Sequence, residues 1–317
     1  MESMMIKTTH LAMLLIVFIV TLSGCQSIST STTQRSLSLD GARYAHAMVN
    51  DGEKLYVIGG SNESNFLSRI EIIDPKTQQS TTLEGKIIPR RYFSAVWDGK
   101  ESIYIIGGVS FNGLRIKYEK RVEVFNTRTQ EVTLVKSLPA PTRTNSAALK
   151  DGKIFVFGGA YPRGGNLKYQ PTVAVYDIEN DSWQRGQDMP VAKSTKAFVK
   201  GDYIYLVGGY NGKQSVNTFE RYDPKNNRWQ SLPTMPYRIS AHSLALKGEK
   251  IYVFGNYLEI SASYSYDFTT QQWSKLDIGY LPARHTAATV LNSLIYVSGG
   301  NKAAKGQSMN NIQVFNL

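Results

Sequence analysis

Six glycine doublets divide the chain into nearly equal lengths and leave it few ways to fold. They are Gly59-Gly60, Gly107-Gly108, Gly158-Gly159, Gly208-Gly209, Gly255-Asn256 and Gly299-Gly300, spaced 48, 51, 50, 47 and 44 residues apart. A fixed period in this range marks an architecture of repeated units, each of which buries its apolar faces only by stacking on its neighbours. Every doublet closes a short apolar run, such as Leu55-Tyr56-Val57-Ile58, Ile154-Phe155-Val156-Phe157 or Ile251-Tyr252-Val253-Phe254. Runs of this length, rich in β-branched and aromatic residues, read as buried strands. Asp51-Gly52, Asp98-Gly99 and Asp151-Gly152 precede three of them and suit the positive φ angles of tight hairpins.

A second mark follows each doublet. Strands ending Ile73-Asp74, Phe125-Asn126, Tyr176-Asp177, Tyr222-Asp223, Tyr266-Asp267 and Phe315-Asn316 place the Asp or Asn 12 to 19 residues beyond the first Gly. Trp183, Trp229 and Trp273 stand six residues after three of these. The doublet, the aromatic-Asp pair and the spaced Trp together resemble the kelch repeat, over residues 36–317. The resemblance implies an all-β, six-bladed kelch-type β-propeller with four antiparallel strands per blade. Asn256, Ile73, Ser80 and Val132 depart from the pattern at single positions and leave the count of repeats unchanged.

The last repeat stops at Leu317, directly after its third strand, so its outer strand must come from elsewhere or an edge stays unpaired. In other repeats a Leu lies three residues past the Trp position, as in Trp229 to Leu232, Trp273 to Leu276 and Ser80 to Leu83, and Ser36-Leu37-Ser38-Leu39 fits that register. This segment is expected to complete blade six and close the ring; the alternative is that it continues the polar segment before it.

That polar segment has its own logic. Lys7 precedes an unbroken apolar run from Leu11 to Val20, short for a bilayer span and suited to the core of a signal peptide. The run ends in Leu22-Ser23-Gly24-Cys25, which resembles a bacterial lipoprotein signal. The resemblance implies that residues 1–24 are removed and that lipid on Cys25 anchors the chain to a membrane, where several acyl chains hold and one does not. Residues 25–35, nearly all Ser, Thr and Gln after the Cys, read as a tether. Gln26 in place of Asp after the Cys implies, by the same resemblance, an outer-membrane location facing the periplasm. With one Cys in the chain, no intramolecular disulfide and no thiolate-rich metal site is available.

Lys and Arg outnumber Asp and Glu by 36 to 25, a net charge of +11, which serves solubility and a membrane surface or else an anionic ligand. Aligned by distance to the next doublet, the loops leading into the first strands supply Arg43, Arg91, Arg143, Lys193, Arg238 and Arg284, one cation per blade. Neighbouring cations ~10 Å apart would repel by roughly 1.7 kcal/mol at an effective dielectric near 20 before screening, so such a ring needs counter-charge. Asp40, Glu63, Glu84, Glu119, Asp188 and Glu259 are in reach along the chain, and a carboxylate or phosphate ligand would fill the same need. A structural role, with these cations bonding carbonyls or neighbouring loops, is the other reading. Tyr161, Tyr210 and Tyr257 stand in the loops after the doublets among Asn and Lys, including Lys302 and Lys305, and suit sugar faces or a protein partner. His46, His242 and His285 come from different blades at different offsets and are expected to be wall residues, with no metal triad.

No nucleophile elbow, phosphate-binding loop or zinc-protease motif is present, and the copper oxidases of this fold need a Tyr–Cys cross-link that the single Cys does not supply. The sequence is therefore read as an envelope-anchored recognition module, monomeric and without cofactor, that binds an acidic glycan or a protein partner on its basic loop face. Export argues against nucleic acid. The alternative is an enzyme similar to the periplasmic kelch sialate mutarotases (N-acetylneuraminate epimerases), with Arg holding the sugar carboxylate and Glu63, Glu119, Glu259 or His285 moving the ring proton.

Overall fold

A computed structural model of the chain describes residues 37–302 and 307–317. Cys25, the segments read as signal and tether, Ser36 and Lys305 lie outside the described residues. The chain folds as a six-bladed β-propeller. Blade one is built from Ala47–Asn50, Leu55–Ile58, Ile70–Asp74 and Gln79–Leu83; blade two from Ser94–Trp97, Ser102–Ile106, Val122–Asn126 and Val132–Val135. Blade three uses Ser146–Lys150, Lys153–Phe157, Val173–Asp177 and Ser182–Arg185; blade four Ser194–Lys200, Tyr203–Tyr210, Phe219–Asp223 and Arg228–Leu232. Blade five uses Ser243–Lys247, Lys250–Phe254, Ser263–Asp267 and Gln272–Lys275. Blade six takes three strands from the end of the chain, Ala287–Leu291, Leu294–Ser298 and Met309–Phe315, and its outermost from the beginning, Leu37–Arg43. Two small hairpins, Val109–Asn112 with Arg115–Tyr118 and Ala160–Arg163 with Asn166–Tyr169, follow the doublets of blades two and three.

The apolar runs before the doublets are the second strands, buried on both faces because a blade is covered on both sides. Leu55, Val57, Ile58, Ile103, Ile105, Ile106, Ile154 and Phe157 are all at or near zero exposure. Six apolar clusters fill the six gaps between blades, such as Phe125 with Ile72 between blades one and two, and Phe254 with Phe315 between five and six. Burial of this kind contributes on the order of 25 cal/mol per Å² and is the main term holding the ring.

The repeat motifs have local causes. In four blades the Asp or Asn ending the third strand turns the chain into the fourth by accepting backbone N–H groups two and three residues on, as Asp74 does from Lys76 and Thr77 and Asp223 from Lys225 and Asn226. Two of the repeat Trp side chains staple neighbouring blades: Trp183 donates to the Lys136 carbonyl at 2.8 Å and Trp229 to the Gln187 carbonyl at 2.9 Å.

Leu37–Arg43 closes the ring as the sequence register implies. Leu37 pairs with Ile312 and Ser38 with Asn311, antiparallel, while Leu37 and Leu39 sink into the cluster shared by blades six and one. Leu39 is 3% exposed, so Leu39→Ala is expected to cost about 2–5 kcal/mol, read as a lowered denaturant midpoint, whereas the exposed Ser38→Ala should leave the midpoint unchanged within about 0.5 kcal/mol. Equal effects would show that blade six does not use this strand.

Candidate binding site at the channel mouth

On one face of the propeller the loops leading into the first strands meet the doublets of the blades before them. Backbone N–H groups of Gly60, Gly108, Gly159, Gly209 and Gly300 donate to the carbonyls of Arg90, Thr142, Lys193, Ile239 and Arg43. The approach is too close for a side chain: a Cβ on Gly158 would lie 2.2 Å from the Lys193 carbonyl oxygen, and one on Gly255 2.2 Å from that of Ala283. Blade five carries Asn256 at the second doublet position, and its amide bonds within its own blade, accepting from Tyr257 N–H at 2.7 Å and donating at 3.1 Å to the Arg238 carbonyl of the loop that enters the blade.

This contact fixes two consecutive side-chain positions per crossover, with opposite fates. The first, at Arg43, Arg90, Thr142, Lys193, Ile239 and Ala283, turns back between strands. There Arg43 meets Glu71 at 2.7 Å, Arg90 meets Glu123, and Lys193 meets Glu220 at 2.5 Å, each pair buried. Burial pushes Arg43 down to about 10 while Glu71 opposes the shift, so the guanidinium keeps its proton at neutral pH. Burial likewise lowers Lys193, against the pull of Glu220. At the second position Arg143, Ser194 and Ser240 line the cavity at the channel mouth, while Tyr44, Arg91 and Arg284 stand beside it.

The six cations aligned in the sequence therefore do not form one ring. Arg43 and Lys193 are inter-strand braces, Arg91, Arg143 and Arg284 face the mouth, and Arg238 is exposed beside the Ser215 carbonyl at 3.4 Å. A one-residue difference in loop length moves a side chain from one fate to the other, which distance-counting does not resolve. Arg90, missed by the alignment, is the third brace. Truncating one member of a buried pair strands the other, so Glu123→Ala is expected to destabilise by about 3–5 kcal/mol in denaturant unfolding, and Arg90→Met with Glu123→Leu together by much less.

The mouth opens into a cavity of about 380 Å³ on the propeller axis, continued below by one of about 130 Å³. Its walls carry Arg143, Lys196, His46, His242 and His285 among Tyr92, Tyr169, Tyr210 and Tyr257, and no carboxylate lines either space. The arginines lie against aromatic faces: Arg143 is 4.7 Å from the Tyr92 ring, Arg284 4.0 Å from Tyr257, and Arg91 4.6 Å from Phe66 and 5.1 Å from Tyr92. Such stacking holds the guanidinium planes, with Arg91 also donating to the Tyr44 hydroxyl and Arg284 to the Tyr257 carbonyl at 3.1 Å, and it leaves their remaining donors to a ligand. The field is positive throughout. His285 is pushed down to about 3 by burial and then by Arg284, Lys196, Arg143 and Arg91; His242 falls to about 3 by burial, Lys196 and Lys193, with the Val207 carbonyl opposing. His46 is lowered as well, by burial, Arg43 and Lys196.

Of the tyrosines named from sequence, Tyr210 and Tyr257 line the cavity and Tyr161 sits on the hairpin beyond it. The acids lie elsewhere. Glu63 accepts from the backbone and hydroxyl of Ser308, Glu119 from Ser110 with Lys117 at 3.3 Å, and Glu259 meets Lys275 at 2.6 Å. The three histidines do line one cavity, closer together than their offsets suggest, yet among the described residues no three His, Cys, Asp or Glu are grouped as metal ligands. Lys196 and Tyr92 escaped the sequence reading; the signal for Lys196 was its place in a strand at the channel, two residues from Phe198 on the same side of the period.

Four-stranded antiparallel blades around a polar axial channel, with Gly doublets under the crossovers, define a kelch-type propeller. A family model described as the KLHDC2/KLHL20/DRC7 Kelch-repeats domain matches residues 45–256, and the chain belongs to that kelch-repeat family. It is similar to Kelch-like protein 25 of Xenopus tropicalis, 28% identical over 62% of this chain and 34% of the relative. It is also similar to Kelch-like protein terF of Aspergillus terreus, 28% identical over 71% of this chain and 52% of the relative, and to alpha-scruin of Limulus polyphemus, 25% identical over 69% and 25%. The chain thus matches between a quarter and about half of the length of these relatives.

The neutral histidines give the fold a pH dependence. A histidine whose folded value lies below its unfolded value binds protons more readily when unfolded, so its effect is absent above pH ~6.5 and grows as pH falls toward its folded value. For His242, buried and near 3, the loss is about 1.4 kcal/mol per pH unit between pH ~6.5 and about 3. Thermal unfolding of His242→Asn should show a flatter decline below pH 6 than the parent. Parallel curves would place the acid sensitivity elsewhere.

Proposed function

We propose that the chain is a recognition module that takes an acidic segment of a protein partner at its basic channel mouth, and that it acts at a bacterial envelope, lipid-anchored through Cys25. One observation carries the binding reading: Arg143 and Lys196 line a cavity that no carboxylate lines among the described residues, and Arg91 and Arg284 stand near enough to add to its positive field, so that charge is left for a ligand to answer. Arg43, Arg90 and Lys193, by contrast, have internal partners. Kelch propellers generally bind protein partners, and the aromatic walls give the contact area that hot spots use. Tyr257, 44% exposed under Arg284, and Tyr210 supply such area at the rim.

An acidic glycan presents the same carboxylates and is the other occupant that the test separates. The sialate mutarotase reading draws less support, since Glu63, Glu119 and Glu259 are engaged outside the cavity and only His285, held neutral, remains there to carry a proton.

The test uses paired arrays of acidic peptides and acidic glycans. Arg143→Gln together with Arg284→Gln is expected to weaken binding to acidic peptides at least tenfold, with a shallower salt dependence, while the melting temperature moves little because neither residue has a carboxylate partner. Binding confined to glycans would assign the mouth to sugars, and binding unaffected by the double change would place recognition elsewhere. For the anchor, Cys25→Ser should release the chain from the membrane fraction; retention there would refute lipidation at this site.

A further inference from the structure

The mouth arginines are stacked on aromatic rings, but the cation below them is not. Lys196 lies where the cavity and its lower continuation meet, lining both. It stands on the innermost strand of blade four, paired with Val207, and the residues in matching register on the other blades, Ala47, Ser94, Ser146, Ser243 and Ala287, line the lower space as well. Where those blades carry small side chains, blade four puts an ammonium on the axis.

Around that ammonium, polar atoms are left without protein partners. His242 is 1% exposed, and its ring nitrogens make no hydrogen bond of good geometry, the Val207 carbonyl being the polar group that acts on the ring; His46 bonds Ser298 at 2.8 Å through Nε2 and leaves Nδ1 open; Asn145 leaves Oδ1 open. Both histidines lie close enough to Lys196 to feel its charge, and no carboxylate lines either space. Buried polar groups with no partner are costly and call for an explanation in each case. A group rich in lone pairs, carrying negative charge and small enough for the axis, satisfies both the ammonium and a neutral imidazole N–H.

We propose that Lys196, with His242 and His46, forms an internal site for a small oxyanion of the phosphate type, distinct from the arginine rim that engages a partner. The ion arrives free or as a phosphate or carboxylate group on a larger ligand reaching down from the mouth. Held there, it answers a cation with no counter-ion among the described residues, and it links blade four to blades one and five, which contribute His46 and His242.

The test needs no knowledge of the partner. Inorganic phosphate, titrated at constant ionic strength against chloride, is expected to raise the melting temperature of the full protein in a saturable way and to give a binding isotherm by calorimetry. Lys196→Met should weaken phosphate binding at least tenfold while melting no lower than the parent in phosphate-free buffer, because it removes an unpaired ammonium. Lys196→Gln, which keeps a polar group of similar length, serves as the second variant and should lose phosphate binding likewise. A parent that gains nothing from phosphate over chloride, or variants that keep the phosphate response, would overturn the proposal. A response surviving Arg143→Gln with Arg284→Gln but lost in Lys196→Met assigns the ion to the axis; a response lost only in the arginine variant assigns it to the rim and refutes the inner site. An isotherm seen with short phosphopeptides but not with free phosphate would assign the ammonium to a ligand-borne group and overturn the free ion as occupant.

Discussion

The close approach of each crossover to the end of the preceding blade is what the molecule rests on. The loop must reach the axis, hand over one carbonyl to the doublet amide, and leave again as the next innermost strand. Only a residue without a Cβ lets the two backbones come that near, and the first doublet position is Gly in all six blades, Gly255 included. Once the carbonyl is fixed, so are the side chains on either side of it. A second set of links repeats the pattern one step inward: Tyr92 N–H donates to the Ala45 carbonyl, Thr144 to Tyr92, Ala45 to His285 and His285 to Ala241, each joining one blade to the next around the channel. The channel wall is therefore a backbone structure first, and side chains decorate it.

This explains why one stretch of sequence can serve stability and recognition together. At a crossover, a cation placed on the carbonyl-giving residue turns inward and needs an acid on the third strand, which Glu71, Glu123 and Glu220 supply. A cation one residue later turns to the mouth, where no acid waits. The two classes differ by a single position. Burial sets the need for an acid in the first class, since a desolvated charge without a partner would cost several kcal/mol; in the second, Arg91 and Arg143 are half-buried, and the buried Arg284 is met by the ring and carbonyl of Tyr257.

The fold was legible because its determinants are local: doublets, Asx turns, spaced Trp and apolar runs each act within a few residues, and their period fixes the number of blades. Even the closing strand could be read, since Leu37 and Leu39 follow the alternation that the other outer strands use. The site was only partly legible. Its membership depends on which way a side chain leaves a loop, and loops of unequal length hide a one-residue offset; this is how Arg90 was passed over for Arg91 and how Arg43 and Lys193 came to be grouped with mouth residues. Lys196 was hidden for another reason: the matching register positions of the other blades, Ala47, Ser94, Ser146, Ser243 and Ala287, carry Ala or Ser, so no repeated charge marks this ring of positions in the sequence.

Closure and recognition meet at the seam between blades six and one. The closing strand ends in Arg43, whose ion pair with Glu71 is the same brace that Arg90 and Lys193 make within the chain, so a join made by the chain's first strand is held like one in its middle. Nearby, Asn50 reaches across to Thr289 at 2.7 Å and Glu63 takes the backbone and hydroxyl of Ser308, fastening blade one to blade six on both sides of the doublet. The next two residues after Arg43 belong to the mouth: the Tyr44 hydroxyl accepts a hydrogen bond from Arg91, and Ala45 N–H is held by the His285 carbonyl. The seam thus sets the position of two groups that face the ligand, one on each side of it. Any slackening of the closing strand would be felt at Arg91 and His285 before it was felt in the distant blades, and the affinity of the mouth is tied to the integrity of the ring by three consecutive residues.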